Sequence, residues 1–335
     1  MTPADAAKLL KTEIVQVVGC TEPAAVAFAF RTLVRNLPGP PPPDVFPLAR
    51  LLISKDAFRN ASTAVVPRLK RPGIHAAIAA GLASRADDFN VFADFDLALA
   101  RSFLRHMDRV EIVPVRRRAL YVHAQFVRLR TAIVLDGRHD QIHKLVVFGK
   151  DQTPRKRQTP PPPSIPEIFD LARARHPRLE AIALDFISRQ VPPEKDYSLE
   201  EQIARRVAGR MAGYAHPVMT LTGSGNQGIF VGLPFRKLHA ECGDSILPAL
   251  VFSLLAQIHL SHRKKRLSED CGLAQKAAPA LAAGLAFARG ATPADVRRIF
   301  REVPARLAGI GCEGAEPACG EKARRAFRAV APYFV

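Results

Sequence analysis

Four of the five cysteines in this chain of 335 residues stand in short motifs where a thiol could do chemistry. Cys271 follows Leu267-Ser268-Glu269-Asp270 and precedes Gly272, at the start of an expected helix. Cys312 and Cys319 share the Gly- and Pro-rich stretch Gly309–Gly320, and 40 residues lie between Cys271 and Cys312. Thiolates are soft donors that favour iron or zinc, and a helix N-terminus lowers a thiol pKa. Three cysteines with no nearby fourth suit a [4Fe–4S] cluster with one iron open to substrate. The same residues also fit small buried hydrophobes, a common fate of free cysteines. Cys20, in Gly19-Cys20-Thr21-Glu22-Pro23 just before a helix, meets a positive potential that favours its thiolate. A plain cysteine in a capped turn is the alternative there. Cys242, ahead of Gly243-Asp244, has no partner pattern and reads as structural.

A second signal is Leu221-Thr222-Gly223-Ser224-Gly225-Asn226-Gln227-Gly228. Its interleaved glycines would expose backbone amides able to hold a carboxylate or phosphate. The loop lacks the Lys-Ser/Thr of a nucleotide phosphate loop and the spacing of a dinucleotide fingerprint. An ordinary tight turn is the competing reading. His139, after an expected strand, is a candidate acid or base, against a solvated loop histidine. No serine–histidine–aspartate triad and no two-histidine zinc helix is present.

Proline and glycine divide the chain around these residues. Leu37–Pro43 cannot be helical, and Lys150–Pro163, ending in four prolines, reads as a polar, basic, extended linker. Helices are predicted over Pro3–Val18 and Pro23–Leu37, then over Gly73–Ser84 and Asp94–His106. Strands are expected at Val110–Val115, Ala119–Leu129, Ala132–Leu135 and Ile142–Phe148. Beyond the proline-rich segment, apolar spacing predicts helices at Ser164–Arg175, Leu179–Arg189, Leu199–Met211, Ile246–Leu260, Cys271–Ala288 and Pro293–Ala308. The fold class is therefore α+β: a mainly helical domain carrying the cysteines, with a small sheet domain inserted. The expected divisions are residues 1–37, packing on the C-terminal domain, 44–150 (sheet), 151–164 (linker) and 165–335 (helical).

Composition limits the partners. The 49 Lys and Arg against 31 Asp and Glu leave a net charge of +18, which invites phosphate binding. The cations are scattered, however, with only short clusters at Arg116–Arg118, Arg155–Arg157 and Arg263–Arg266, and no Trp and few Tyr accompany them for stacking. A dedicated nucleic-acid role is disfavoured. No long uninterrupted apolar run and no secretory leader is visible, so a cytoplasmic protein outside the membrane is expected. A homo-oligomer is compatible with the sequence.

Taken in order, Gly19-Cys20-Thr21-Glu22-Pro23, Pro217-Val218-Met219 leading into Gly223–Gly228, Leu267-Ser268 with Cys271-Gly272, and Cys312-Glu313-Gly314-Ala315 with Cys319 resemble the L-cysteine desulfidase family. That family is similar to the alpha part of iron–sulfur L-serine dehydratases. The resemblance implies a lyase of amino-acid catabolism that uses a [4Fe–4S] cluster, with no pyridoxal phosphate, on a small amino-acid substrate. It implies Cys271, Cys312 and Cys319 as cluster ligands and Cys20 as a fourth ligand or catalytic thiol. Ser224, Gly225, Asn226 and Gln227 would line the substrate site, and His139 matches a histidine of the sheet region. Two departures stand out. Val66-Pro67-Arg68-Leu69-Lys70-Arg71-Pro72-Gly73 replaces a small glycine loop, and Val207-Ala208-Gly209-Arg210-Met211 lacks an Asp the family tends to carry. A divergent member with a cluster but little turnover is thus the second reading, and a basic nucleic-acid binder the third.

Overall fold

Thr2 accepts a hydrogen bond from the Asp5 amide at 3.1 Å, and Pro3 occupies the first turn, which starts helix α1 (Pro3–Glu13). The chain is described by a computed structural model covering residues 1–39, 48–117, 119–155, 158–194, 196–264 and 267–334. After α1 come strand β1 (Gln16–Val18) and helix α2 (Thr21–Arg35). Next are β2 (Ala49–Ser54), α3 (Lys55–Thr63), the short hairpin β3 (Val65–Val66) and β4 (Arg71–Pro72), α4 (Ile74–Leu82) and α5 (Leu97–Leu104). Strands β5 (Val110–Val115), β6 (Tyr121–Phe126), β7 (Thr131–Asp136), β8 (Ile142–Val147) and β9 (Lys150–Asp151) follow. The remainder is α6 (Ile165–Arg173), α7 (Pro177–Ser188), α8 (Leu199–Met211), β10 (Pro217–Met219), α9 (Gly225–Cys242), α10 (Leu247–Arg263), α11 (Ala278–Ala288), α12 (Pro293–Arg306) and α13 (Cys319–Val330).

The α+β expectation holds. Six strands form one mixed sheet in the order β5-β2-β6-β7-β8-β9, with β2 and β5 parallel and the other neighbours antiparallel. Alternate residues of β6 and β7 are buried, so one face packs and the other meets solvent. Helices α2 and α3 lie on the buried face, and α2 also packs on α4. Around α10 and α11 the helical half closes on Phe169, Phe252 and Phe287, with Phe252 and Phe287 stacked at 4.7 Å. Ala274 to Ala283 is buried throughout except Gln275, as its small residues predict.

Several expectations need correction. The first helix stops at Glu13, because residues 16–18 pair antiparallel with β10, Val17 opposite Val218. The N-terminal pair also divides: α1 packs on α7 and α10, whereas α2 packs on α4 and the sheet. The glycine-rich motif opens helix α9, and Cys242 ends that helix and is exposed. Pro40–Pro43 of the first break, and Arg118, Lys156, Arg157, Lys265 and Arg266 of the basic clusters, lie outside the described residues. Gly225–Arg263 is long and apolar enough to cross a membrane, but 72% of its apolar window is buried inside the fold, as befits a core helix.

Gly81 seats α2, the helix that carries Cys20. A Cβ at Gly81 would lie 2.3 Å from the Ala27 carbonyl oxygen and 2.7 Å from Ala27 Cα. Gly81→Ala is therefore expected to lower stability by about 1–3 kcal/mol in denaturant unfolding. An unchanged midpoint would show that the two helices can part without cost.

Candidate active site

Cys20 is itself the N-cap of α2, with Thr21 and Glu22 in the first turn. Gly19 turns the chain into this cap at φ +75°, with Pro67 and Phe92 packed where a Cβ would stand. The Cys20 thiol donates to Glu22 Oε2 at 3.1 Å, and the Thr21 hydroxyl donates to the same oxygen at 3.1 Å. Glu22 Oε1 lies 3.5 Å from His139 Nε2. That contact has ion-pair range without hydrogen-bond geometry, and Nε2 has no hydrogen-bond partner. His139 sits in the turn between β7 and β8, and it is buried, not solvated. Beside it, Arg138 is held by Asp140 at 3.0 Å and by the Thr12 carbonyl at 2.6 Å.

Burial raises the Glu22 carboxyl, but the His139 ring and the Cys20 thiol outweigh it and hold the carboxyl down at about 2. Cys20 goes the other way. Burial, reinforced by the Glu22 charge, pushes its thiol well above the ordinary value of 9.0. The expected activation of Cys20 by the helix N-terminus is thus overridden, because desolvation penalises a thiolate more than the helix end favours it.

The other three cysteines reach the same place from the far end of the chain. Asp270 and Gly311 form an antiparallel bridge, with the Cys271 amide donating to Ile310 O at 3.0 Å and the Cys312 amide to Glu269 O at 2.7 Å. Cys312 Sγ faces Asn60 Oδ1 of α3 at 3.8 Å. The Ala315 amide donates to Thr63 Oγ1, also on α3, at 2.9 Å. Cys319 opens α13 and packs, with Cys20, into a small apolar cluster of Ala64, Met211 and Ala315. Burial raises the Cys312 and Cys319 thiols, Cys319 to about 11, and each feels the charge of Cys271. Cys271 leads into a π-helical turn, Leu273–Ala277, a local deviation often found at functional sites.

The glycine motif supplies the third wall. Thr222 and Gly223 both adopt positive φ, and Leu221 and Ser224 exchange backbone hydrogen bonds at 3.1 Å. The motif is thus a tight turn that delivers Ser224 as the N-cap of α9. Gln227 is buried, accepts from Gln257 Nε2, and lies where a Cβ on Gly272 would stand. Asn226 Oδ1 accepts from Arg210 Nη1 at 2.9 Å. Burial lowers the Arg210 pKa, while Cys20, Glu22 and Cys319 pull it back up, so all three stand within electrostatic reach of the guanidinium. Arg68, Lys70 and Arg71, the cations of the altered loop, are exposed; Pro67 of the same loop packs against Gly19 beside the site. A cleft of about 750 Å³, lined in part by Val15, Phe89, Asp140 and Met219, opens one layer outside His139.

No three described His, Cys, Asp or Glu side chains close on a single metal ion. A cubane cluster is wider than an ion and needs thiols set further apart. Cys271, Cys312 and Cys319, free and within electrostatic reach of one another, are soft donors of the kind such a cluster takes. Sequence reading missed Glu22 as more than a cap, Asn60 and Thr63 on an unpredicted helix, and the buried Lys276 in the π turn. A charged residue inside an alanine-rich or apolar run was the available signal for Glu22 and Lys276.

Residues 182–331 match the serine dehydratase alpha chain family. Other proteins are similar over nearly the whole chain. A UPF0597 protein of Oleidesulfovibrio alaskensis is 26% identical over 96% of this chain and 84% of its own length. One from Caldanaerobacter subterraneus is 23% identical over 94% and 83%, and one from Desulfitobacterium hafniense is 27% identical over 94% and 82%. Residues 182–331 are thus similar to serine dehydratase alpha chains, and this matched segment contains Arg210, the α9 motif and all three late cysteines.

Two measurements check the electrostatics. Because the Glu22 carboxyl is held below its ordinary 4.5, it stabilises the fold above about pH 4.5, and that contribution is lost as pH falls toward about 2. Glu22→Gln is expected to flatten the acid limb of the stability–pH curve over that window; an unchanged slope would contradict the burial of a charged carboxylate. In the metal-free reduced protein, alkylation followed by mass spectrometry should modify exposed Cys242 first and Cys20 last. Early labelling of Cys20 would contradict its raised pKa and burial.

Proposed function

We propose that the protein is a lyase that eliminates the β-substituent of a small amino acid, L-cysteine or L-serine, with a [4Fe–4S] cluster held by Cys271, Cys312 and Cys319. The observation that carries this reading is that Cys319 packs in one small cluster with Cys20, while Cys271 and Cys312 stand within electrostatic reach of Cys319, and Cys312 within reach of Glu22, so that both ends of the chain meet. The relationship to serine dehydratase alpha chains supports the reaction class. When bound, such a cluster supplies a Lewis-acidic iron that draws charge from the leaving group.

This chain's own residues supply the proton chemistry. His139 Nε2, without a hydrogen-bond partner and 3.5 Å from Glu22, would take the α-proton in its neutral form, and the interaction that holds Glu22 ionised would then stabilise the imidazolium so formed. Loss of the α-proton and departure of sulfide or hydroxide leave aminoacrylate, which hydrolyses to pyruvate and ammonia. Cys20 keeps its proton in a thiol that donates to Glu22, which suits an acid; a role as fourth ligand requires that proton to leave. Phe89, its ring centroid 6.2 Å from that of His139, lines the neighbouring cleft on this side of the site. The exposure of Arg68, Lys70 and Arg71 leaves the interior free of those cations, which favours turnover over a purely structural cluster. The cytoplasm, where thiols stay reduced, is the compartment this chemistry requires.

After anaerobic reconstitution with iron and sulfide, the protein should show broad charge-transfer absorbance, about three to four irons per chain, and pyruvate release from L-cysteine or L-serine. Cys271→Ala should lose both cluster and pyruvate formation, while Cys242→Ala should keep both. An active Cys271→Ala, or wild-type protein holding fewer than about three irons, would refute the cluster assignment.

A further inference from the structure

Arg210 is 4% exposed, and its guanidinium is only half used. Nη1 donates to Asn226 Oδ1 at 2.9 Å, but Nε and Nη2 have no hydrogen-bond partner. Leaving two charged N–H groups unpaired away from water is costly, and these two atoms form one edge of the guanidinium. That edge is the one that binds a carboxylate by two parallel hydrogen bonds. Asn226 fixes the opposite side, so the edge is presented already oriented.

Gly225 makes the arrangement possible. A Cβ there would stand 2.6 Å from Arg210 Cζ and Nε, and 2.7 Å from Nη2. Only glycine lets the guanidinium lie flat against the start of α9. The position is also central, since Cys20, Glu22 and Cys319 all act on Arg210 through space.

We propose that the Nε–Nη2 edge of Arg210 is the receptor for the α-carboxylate of the amino-acid substrate. The identity of the ligand rests on the lyase reading above; the carboxylate edge rests on the geometry alone. Charge favours a zwitterion. Arg210 and Glu22 already balance, so an amino acid enters without adding net charge to a buried site, whereas a phosphate dianion would leave it unbalanced. The carboxylate meets Arg210 and the ammonium lies toward the negative Glu22. Asn226 then acts as a positioning residue and Gly225 as the space that admits the guanidinium. This also gives the glycine motif a role beyond its own amides.

Calorimetric titration of the reduced, cluster-free protein tests the proposal without depending on turnover. L-serine and L-cysteine should bind at least tenfold more tightly than L-serinamide, which keeps the ammonium and hydroxyl but lacks the carboxylate. Arg210→Gln should weaken amino-acid binding at least tenfold and erase the discrimination against the amide. Gly225→Ala, which keeps the charge and displaces the guanidinium, should do the same, and it decides the matter if Arg210→Gln fails to fold. Equal affinity for acid and amide, no binding of either amino acid, or wild-type affinity in Gly225→Ala overturns the proposal. So does an Arg210→Gln protein whose reconstituted cluster absorbance shifts while its amino-acid affinity does not, since the edge would then serve the cluster. Retained discrimination without pyruvate release from the loaded enzyme would refute the lyase reading alone. Pyruvate release with an unchanged KM in Arg210→Gln would refute the carboxylate receptor alone.

Discussion

The constraint on which the site depends is the burial of opposite charges around the start of α2. Glu22 and Arg210 are both almost wholly removed from water, and an isolated ion there would cost several kcal/mol. They come from positions 22 and 210: Glu22 is held by Cys20 and Thr21 with His139 in ion-pair range, and Arg210 by Asn226 through Nη1 alone. None of these groups can be buried until the N-terminal segment, the sheet and the C-terminal helices have all closed. Each bond these buried groups do make is costly to lose, so the polar centre ties the fold's two halves to one arrangement.

The backbone connections carry the same logic. β1 reaches across to β10, the Asp270–Gly311 bridge sets Cys271 beside Cys312, and α3 accepts the loop that carries Cys312 and Cys319. Each joins segments far apart in sequence, and each ends within a residue or two of a site side chain. The sheet therefore does more than cover helices: through α2, α3 and the β7–β8 turn it delivers Cys20, Asn60 and His139 to a site whose remaining parts are helical.

How much of this was legible in sequence depends on the element. Leu199–Met211 and Val110–Val115 emerge with the predicted bounds, since each has a regular period and clear ends. Helix α9 was hidden because Gly225, Gly228, Gly232 and Pro234 lower its intrinsic propensity, and buried packing overrides that penalty. Helix α3 and strand β2 were hidden because a short strand runs straight into a polar helix with no glycine or proline between them. Helix α13 is dominated by charged residues, with Gly320, Ala323, Ala326, Phe327 and Val330 on its buried face. At the site, the four cysteines were legible as ordered motifs. Their protonation was not, because thiol burial and the Glu22 charge arise only from tertiary contacts. Arg210 was legible as a residue beside a missing Asp, whereas its unpaired edge arises only from tertiary burial.

The central claim is that three thiols hold a cluster with one iron exposed to an amino acid, leaving three irons cysteine-ligated. Mössbauer spectroscopy of protein reconstituted anaerobically with isotopically enriched iron, before and after addition of L-serine or L-cysteine, tests this most directly. The account predicts that about one iron in four changes its isomer shift and quadrupole splitting on adding the amino acid while the others stay fixed. Four irons that all ignore the amino acid, or a spectrum with no cubane cluster, would contradict it.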